Sequence, residues 1–251
     1  MIEKPKSAKD RIILALDVDN LKDAEDLVKE LKDYVGYFKI GLPLIVNYGF
    51  EAFRLLEEHG AKCYYDCKFH DIPHTVQQAC INLVKNGIGF FNVHIQGGSK
   101  MTSSVVKASK AAAKAYGIEP PTILGVTLLS SFGQKTLTTE LCVDKNIEDF
   151  VLQLAKVAKE TGLDGVVASA EEARRIRQEI GDDFIILCPA IRPTWASVND
   201  QVRVDTPRDA ILSGVDYMVV GRPITTAENR VNAAKLVIDE IETAIEDLSS
   251  Q

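Results

Sequence analysis

Residues 64–75 read Tyr-Tyr-Asp-Cys-Lys-Phe-His-Asp-Ile-Pro-His-Thr, and this stretch decides how the rest of the chain is interpreted. It brings two acids and a lysine into six residues of an otherwise apolar and aromatic run. Lysine and aspartate are almost never fully buried unless they are paired. Such charges inside a predicted strand therefore indicate either a functional site or a structural ion pair.

If residues 62–69 form a strand, their side chains alternate between its two faces. Asp66 and Lys68 then share one face and can lie in one cavity, while Cys67 points to the opposite face. Asp71 follows the end of this strand, so the alternation does not assign it to that cavity. It can face another surface, including another subunit.

This strand is one of eight that alternate with helical segments along the chain. The first is a continuous apolar run at residues 11–18, typical of a strand buried on both faces. Helical spacing or a helix start signal follows the strands, as at residues 21–34, 73–85 and 146–161, and one helix is predicted after strand two through about Glu58. The other strands are predicted at residues 36–41, 62–69, 90–95, 122–129, 165–169, 184–191 and 217–224.

Regular alternation of strands and helices indicates a parallel sheet. Eight such units in 251 residues match a closed (β/α)8 barrel, the TIM barrel, better than two smaller sheets. An open doubly wound sheet is the alternative, but no Gly-x-Gly-x-x-Gly motif follows the first strand. No linker or composition break divides the chain, so we expect one barrel domain over residues 1–251.

The composition argues against several classes of protein. Hydrophobic residues make up 46% and charged residues 26%, which is ordinary for a soluble globular chain. The net charge of −7 argues against binding to nucleic acid or to an anionic membrane. The five cysteines include no Cys-x-x-Cys pair, and we interpret them as reduced thiols of the core. Because no signal-like start or membrane-length apolar run occurs, we expect a cytoplasmic protein.

Charged residues are concentrated at the predicted carboxyl ends of strands, where active sites of such barrels form. Lys39 is the most informative, because apolar neighbours in a strand covered on both faces give its ammonium group no water. It needs an acid, and Asp17 or Asp66 on a neighbouring strand can reach it. A structural ion pair explains any single pair, whereas five charges at one mouth favour a functional site. The five are Asp17, Lys39, Asp66, Lys68 and Arg222.

Two loops have features of a phosphate site. Barrels often bind phosphate between the loops after strands seven and eight, where backbone N–H groups and arginine match a dianion. Arg192 follows strand seven, and the same loop continues through residues 199–201. Arg222 follows strand eight. We therefore expect a small anionic ligand at this side of the barrel.

Other chemistries have less support. The run from His70 to His74 superficially resembles a metal-binding helix motif, but Pro73 lies between the histidines, so we expect no metal there. His94 is interpreted as a hydrogen-bonded core residue rather than a ligand. Ser130 has no adjacent His–Asp arrangement, which argues against nucleophilic acyl transfer; it can instead hydrogen-bond a polar ring edge.

Taken together, these motifs resemble the orotidine 5'-monophosphate decarboxylase family of the bacterial single-domain type, over nearly the whole chain. The signature that begins at Asp66 is shared with sugar-phosphate relatives. Lys39, with Arg192, Gln201 and Arg222, makes the resemblance specific. The motifs that carry it are Leu14-Ala15-Leu16-Asp17, Phe38-Lys39-Ile40-Gly41, Asp66-x-Lys68-x-x-Asp71-Ile72-Pro73-x-Thr75, Val93-His94 with Gly97-Gly98, Asp200-Gln201-x-Arg203 and Val220-Gly221-Arg222-Pro223.

The resemblance implies an enzyme that decarboxylates orotidine 5'-phosphate to uridine 5'-phosphate, the last step of pyrimidine nucleotide synthesis, without metal or cofactor. It implies a homodimer whose active sites are completed across the interface. Lys68 would stabilise and protonate the C6 carbanion, within a charge network of Lys39, Asp66 and, from the other chain, Asp71. Substrate binding would fall to Asp17 and Thr75 for the ribose, Ser130 for the pyrimidine, and Arg192, Gln201, Gly221 and Arg222 around the phosphate.

One residue departs from the family pattern. Ala190 stands before Ile191-Arg192, where members usually carry glycine. Because alanine tolerates positive φ poorly, this difference leaves the local shape of the loop after strand seven open.

Two rival interpretations remain. One is a magnesium-dependent sugar-phosphate decarboxylase or aldolase of the same barrel family; such enzymes typically present an acid at the position of Lys39, because they ligate a metal. The other is a phosphate-ligand sensor that uses Arg192 and Arg222 alone. It leaves Lys39, Asp66 and Lys68 without a role.

Overall fold

Eight parallel strands close into a barrel in sequence order, with the last strand pairing back to the first. The computed structural model describes residues 4–196 and 205–250. The strands are β1 (Ile12–Ala15), β2 (Tyr37–Ile40), β3 (Cys63–Phe69), β4 (Phe90–His94), β5 (Thr122–Val126), β6 (Gly165–Val167), β7 (Ile185–Cys188) and β8 (Tyr217–Val220). The predicted (β/α)8 barrel is therefore confirmed, and the open doubly wound sheet is excluded.

Helices follow each strand and cover the outside of the barrel. They are α1 (Leu21–Leu31), α2 (Leu42–Tyr48), α3 (Phe50–Glu58), α4 (Pro73–Lys85), α5 (Ser99–Tyr116), α6 (Ile147–Thr161), α7 (Ala170–Ile180), α8 (Pro207–Leu212), α9 (Arg222–Thr225) and α10 (Arg230–Ser249). The single helix expected after strand two is wrong, because Gly49 adopts φ 54° and ψ −124° and divides it into α2 and α3.

Every predicted strand exists, but several end earlier than the apolar runs suggested. The first was expected to reach residue 18 and ends at Ala15, and the fifth was expected to reach residue 129 and ends at Val126. The residues beyond these points leave the sheet and form the loops at the mouth of the barrel. Apolar composition continues past the last paired residue, so it could not mark the strand ends.

Alternation along each strand divides the apolar residues into two layers. Outward-facing residues such as Ile12 and Leu14 pack with the helices in the larger cluster. Inward-facing residues such as Ile13 form a second cluster inside the barrel. Four aromatic rings of that inner set fill its amino-terminal end, with centroids 4.5–6.0 Å apart. They belong to Tyr37, Tyr64, Phe90 and Tyr217.

Strand β3 does not pair regularly with β4. Tyr65 is opposite Phe91, and the next paired residue, Phe69, is opposite Val93. Within this irregular stretch Lys68 adopts a positive φ of 47°. The predicted facing still holds: Cys67 packs in the outer layer, while the Lys68 ammonium group meets the Asp66 carboxylate.

Local sequence places the start of α4 close behind β3. Pro73 occupies the first turn, where its missing N–H is no loss because that group has no partner inside the helix. Thr75 lies in the same first turn and is exposed. Asp71 is also exposed, in the short connection between β3 and α4.

Other expectations from composition can be compared with the structure. All five cysteines are free, but the interpretation that all are core thiols is wrong for Cys142, which is exposed in the connection between β5 and α6. Burial raises the pKa of the Cys67 thiol to about 12, which keeps it protonated near neutral pH.

Within residues 4–196 and 205–250, no helix combines the length and apolar character needed to cross a bilayer.

The backbone conformation of Ala190 shows how the loop after β7 accommodates alanine where family members usually carry glycine. Ala190 adopts φ 63°, the left-handed region in which glycine is usual. A Cβ atom in this region costs about 1–2 kcal/mol through its contact with the backbone. The chain therefore keeps the positive φ and carries the strain in the loop that follows β7.

We expect Gly165→Ala to destabilise the barrel by roughly 3 kcal/mol, because overpacking a closely paired strand forces the backbone to shift. A Cβ at Gly165 would overlap the carbonyl oxygen of Ile185 on β7. Gly133→Ala is the matched control, since no atom lies within 4 Å of a Cβ there, and it should change stability by less than about 0.5 kcal/mol. Urea unfolding measures the free energy of unfolding of both variants. Equal losses of stability would contradict the close approach of β6 and β7.

We expect Ala190→Gly to stabilise the protein by about 0.5–1 kcal/mol, because relief of the Cβ strain exceeds the entropy that glycine adds to the unfolded chain. The control is Ala111→Gly at an exposed position within α5, which should destabilise by about 1 kcal/mol. Urea unfolding of both variants is the measurement. Destabilisation by Ala190→Gly would show that the loop does not require positive φ.

Candidate active site

A cavity of about 780 Å³ opens at the carboxyl ends of the strands. Its size is within the range of about 300–1,000 Å³ usual for small-molecule sites. Apolar side chains of the inner layer, among them Ala15, Val126 and Val219, form its floor. Eight of the residues singled out from the sequence line it: Asp17, Lys39, Asp66, Lys68, Ser130, Arg192, Gly221 and Arg222.

A run of alternating charges occupies the side of the cavity formed by β1, β2 and β3. The Lys68 ammonium donates to both carboxylate oxygens of Asp66, at 2.6 and 2.7 Å. Lys39 Nζ lies 3.7 Å from Asp66 Oδ2 and donates to Asp17 Oδ1 at 2.9 Å. The order is therefore Asp17, Lys39, Asp66, Lys68. The prediction that Lys39 finds an acid on a neighbouring strand is confirmed for both candidate acids.

Strand register explains why these charges meet. Lys39 is opposite Ala15 on β1 and Tyr64 on β3, and all three face the barrel interior. Asp66 follows Tyr64 by two residues and therefore lies one step nearer the mouth on the same face. The side chains of Lys39 and Asp66 are only 12% and 10% exposed, so little water screens their interaction.

Asp66 is ionised in this setting. Burial alone would raise its pKa, but the ammonium groups of Lys68 and Lys39, with hydrogen bonds from Lys68 and Asn92, outweigh burial and lower the pKa below its ordinary value. Asp17 at the end of the run is much more open to solvent, with 61% of its side chain exposed. The site thus combines a fixed, buried carboxylate with an outer acid that a ligand can reach.

Two arginines line the cavity from the loops that follow β7 and β8. Arg192 follows β7 and is buried, with 3% of its surface exposed, and Arg222 begins α9 directly after Gly221. Strands β3 and β7 are four positions apart in an eight-stranded barrel, so they stand on opposite sides. Arg192 therefore lies on the opposite side of the mouth from Lys68, whereas Arg222 follows β8, which pairs with β1.

Two of the predicted residues are not part of this cavity in one chain. Asp71 and Thr75 are exposed and do not line it, and the Asp71 carboxylate accepts the N–H of Ile72 at 2.6 Å. Gln201 lies outside the described residues. Ser130 does line the cavity, from the loop after β5.

Two residues to which the sequence analysis assigned no role in the site shape the charge run. A Cβ at Gly41 would lie 2.8 Å from Lys39 Nζ and 3.4 Å from Asp17 Oδ1, so a larger residue would force the Lys39 ammonium group to shift. Asn92 is wholly buried and donates to Asp66 Oδ1 at 2.6 Å. Its signal was present in the sequence, because it is a polar residue between apolar neighbours in a strand, as Lys39 is.

The histidines near β3 and β4 do not form a metal centre. Within the described ranges, no group of three or more His, Cys, Asp or Glu side chains comes close enough to hold a metal ion. The interpretation of His94 as a hydrogen-bonded core residue is wrong for its Nδ1 atom, which is buried with no partner in the part of the chain described. Burial lowers the pKa of His94 to about 4, with smaller contributions from the neighbouring His70 and Lys68 side chains.

Comparisons with known proteins identify the family of the chain. The family model described as "Orotidine 5'-phosphate decarboxylase / HUMPS family" matches residues 10–237. Orotidine 5'-phosphate decarboxylase of Syntrophotalea carbinolica is 42% identical over 240 residues, which cover 96% of this chain and 98% of that protein. The enzyme of the same name from Moorella thermoacetica is 43% identical over 235 residues, covering 94% of this chain and 93% of its own.

Solved structures give the same result. The crystal structure of orotidine 5'-phosphate decarboxylase from Lactobacillus acidophilus matches with a TM-score of 0.81 and 34% identity, covering 95% of this chain and 99% of that chain. An uncharacterised conserved protein from Geobacillus kaustophilus matches with a TM-score of 0.79 and 31% identity, covering 92% and 99% of the two chains. The chain therefore belongs to the orotidine 5'-phosphate decarboxylase / HUMPS family of enzymes.

Proposed function

We propose that this enzyme decarboxylates orotidine 5'-phosphate to uridine 5'-phosphate and CO2 without a metal or cofactor. The names of its relatives support the substrate. The observation that carries the proposal is the run of alternating charges Asp17–Lys39–Asp66–Lys68 in the same cavity as Arg192 and Arg222. The run offers charges for a reacting centre, and the arginines offer partners for a phosphate dianion.

The central step needs a fixed cation. When CO2 leaves C6 of the pyrimidine, the electron pair of the broken C–C bond remains on that carbon, and no carbonyl is placed to delocalise it. An ammonium group held beside this carbon stabilises the developing charge and can then supply the proton that forms the C6–H bond. Lys68 is this group in our proposal, because its ammonium faces the cavity and is held by Asp66.

Asp66 and Lys39 set the electrostatics around Lys68. Asp66 is ionised and held in place, so a substrate carboxylate beside it would experience repulsion that is relieved as CO2 departs. Lys39 neutralises the inner side of Asp66 and also holds Asp17, which is exposed enough to accept hydrogen bonds from a ribose hydroxyl. Preorganised charges of this kind need no rearrangement during the reaction.

The remaining contacts follow from the other polar groups of the cavity. Arg192 and Arg222 would bind the phosphate, together with Gln201 and the open backbone at Gly221. Ser130 would hydrogen-bond the amide edge of the pyrimidine. Binding energy from the distant phosphate would hold the ring against Lys68.

We also propose that the active site is completed by a second copy of the chain. Asp71 and Thr75 are exposed just beyond the mouth of their own cavity, where they could reach that of a partner. Large apolar side chains in neighbouring segments are unusually exposed for a monomer: Leu42 is 52%, Val46 79% and Ile72 67% exposed. A symmetric dimer would bury them and bring Asp71 toward the Lys68 of the other chain.

In the cell, the proposed reaction supplies uridine 5'-phosphate as the last step of pyrimidine nucleotide synthesis, and we place it in the cytoplasm. The magnesium-dependent alternative requires a dication among these carboxylates. Lys39 Nζ already lies between Asp17 and Asp66, at 2.9 and 3.7 Å. Its charge would repel a metal ion bound there, which favours the decarboxylase.

The ultraviolet absorbance of orotidine 5'-phosphate, followed with EDTA-treated protein, tests the function. We expect loss of the orotate chromophore with stoichiometric uridine 5'-phosphate. Lys68→Ala should lower kcat at least about 1,000-fold while leaving thermal unfolding cooperative, because it removes the cation that the proposal places beside C6. Lys156→Ala, which breaks an exposed ion pair on the helical surface, is the control and should keep full activity. Activity that needs added Mg²⁺, or survives in Lys68→Ala, would contradict the proposal.

Mixing two inactive variants tests the shared site. Lys68→Ala and Asp71→Ala should each be inactive alone. After subunit exchange, about a quarter of wild-type activity should return, because half of randomly paired dimers are hybrids and each hybrid has one intact site of two. A double variant carrying both changes in one chain, mixed with itself, controls for residual activity. No recovery despite exchange shown by mass spectrometry would contradict a contribution of Asp71 across the interface.

A further inference from the structure

The pairing between β3 and β4 is interrupted where the proposed catalytic groups lie. Tyr65 pairs with Phe91 and Phe69 with Val93, so three residues of β3 stand opposite the single residue Asn92. Regular ladder hydrogen bonds cannot form across such a bulge. Backbone groups there need other partners, because an unpaired buried N–H is costly.

The side chain of Asn92 supplies these partners. Its Oδ1 accepts the backbone N–H of Lys68 at 2.7 Å. Its Nδ2 donates to Asp66 Oδ1 and to Tyr64 Oη, both at 2.6 Å. The residue is wholly buried, and it is not among those that line the cavity. One amide thus holds the backbone of Lys68 and the carboxylate of Asp66 together.

Only a carboxamide can accept the N–H of Lys68 and also donate to both Asp66 and Tyr64. An aspartate would turn an oxygen toward the Asp66 carboxylate, an apolar residue would leave the Lys68 N–H unpaired, and a serine could not span the distances. The backbone of Lys68 is also strained, with φ 47°. A conformation of this kind persists at a functional site only when its surroundings hold it in place.

We propose that Asn92 is a positioning residue for the decarboxylation, which holds the Lys68 backbone in its left-handed conformation and orients the Asp66 carboxylate toward the Lys68 ammonium. The inference rests on the proposed function. Asn92 would touch no substrate atom, so its loss should lower kcat and leave KM nearly unchanged.

Asn92→Asp is the sharpest test, because it keeps the shape and exchanges one donor for an acceptor. The introduced carboxylate and that of Asp66, about 2.6 Å apart, cannot both be ionised, so one pKa of this pair of acids is raised well above its ordinary value. Below that pKa a proton on the pair restores the missing donor, and above it the two acids repel. The carboxamide of the wild type does not titrate.

The measurement is kcat and KM of Asn92→Asp and the wild type between about pH 5.5 and 8.5. We expect the variant to lose about 100-fold in kcat at the alkaline end with KM changed less than about threefold, since small misplacements of reacting groups cost this much. The ratio of variant to wild-type kcat should rise as the pH falls. A ratio that is flat with pH, or a KM that rises as kcat falls, overturns the proposal.

Two further variants separate positioning from folding. Cys67→Ala is the matched control, because Cys67 lies on the same bulge and faces the outer layer. Its thiol donates to the backbone carbonyl oxygen of Asn92 at 3.1 Å. It should lower the melting temperature and keep kcat within about twofold of the wild type. Asn92→Ser should fold and show the kcat loss without the pH response. Equal kcat losses in Cys67→Ala and Asn92→Ser, or failure of both Asn92 variants to fold, overturn the proposal.

The wild type distinguishes this inference from the function on which it rests. If the wild-type protein does not consume orotidine 5'-phosphate, the proposed function fails and Asn92 has no reaction to serve. If the wild type is active and folded Asn92→Asp matches it at every pH, the function stands and only the inference fails.

Discussion

The carboxylate of Asp66, held between two lysines, is the interaction on which the rest of the site depends. It is 10% exposed, and its charge is compensated by Lys68 at 2.6 Å and Lys39 at 3.7 Å. Removing one member of a buried ion pair typically costs about 3–5 kcal/mol, because the remaining charge is left without a partner. Here the loss of Asp66 would leave the ammonium groups of Lys39 and Lys68 as neighbouring cations without the acid between them. Burial makes this arrangement costly to form. The low dielectric of the buried site also strengthens the electric field of its charges.

Barrel closure is what brings these charges together. Each strand contributes inward-facing residues; the aromatic rings fill the amino-terminal end, and the cavity opens at the carboxyl end. A ligand entering this space meets the charge run on β1 to β3 and the arginines after β7 and β8 at the same time. The chemistry proposed for the enzyme therefore follows from geometry: a reacting group lies at one side and a binding anchor at the other.

Much of this could be predicted from residue types in their local context. An ammonium group in a strand covered on both faces must find an acid, and Lys39 does so with Asp17 and Asp66. The alternation of side chains along a strand correctly assigned Asp66 and Lys68 to one face. The same reasoning missed Asn92, since its role depends on a bulge between strands more than twenty residues apart in the chain. It also missed the break at Gly49, because glycine in a helical pattern is compatible with either continuation or a turn.

The sequence alone determined the order of strands and helices, the closed barrel, and the set of charges at its mouth, because hydrophobic periodicity and buried charge are local properties of the chain. The tertiary structure decided which charges touch and in what order, that Ala190 and Lys68 adopt positive φ, and that Asp71 and Thr75 lie outside their own cavity. These features depend on strand register and on loop conformation. Both are set by contacts between distant residues, and no local pattern encodes them.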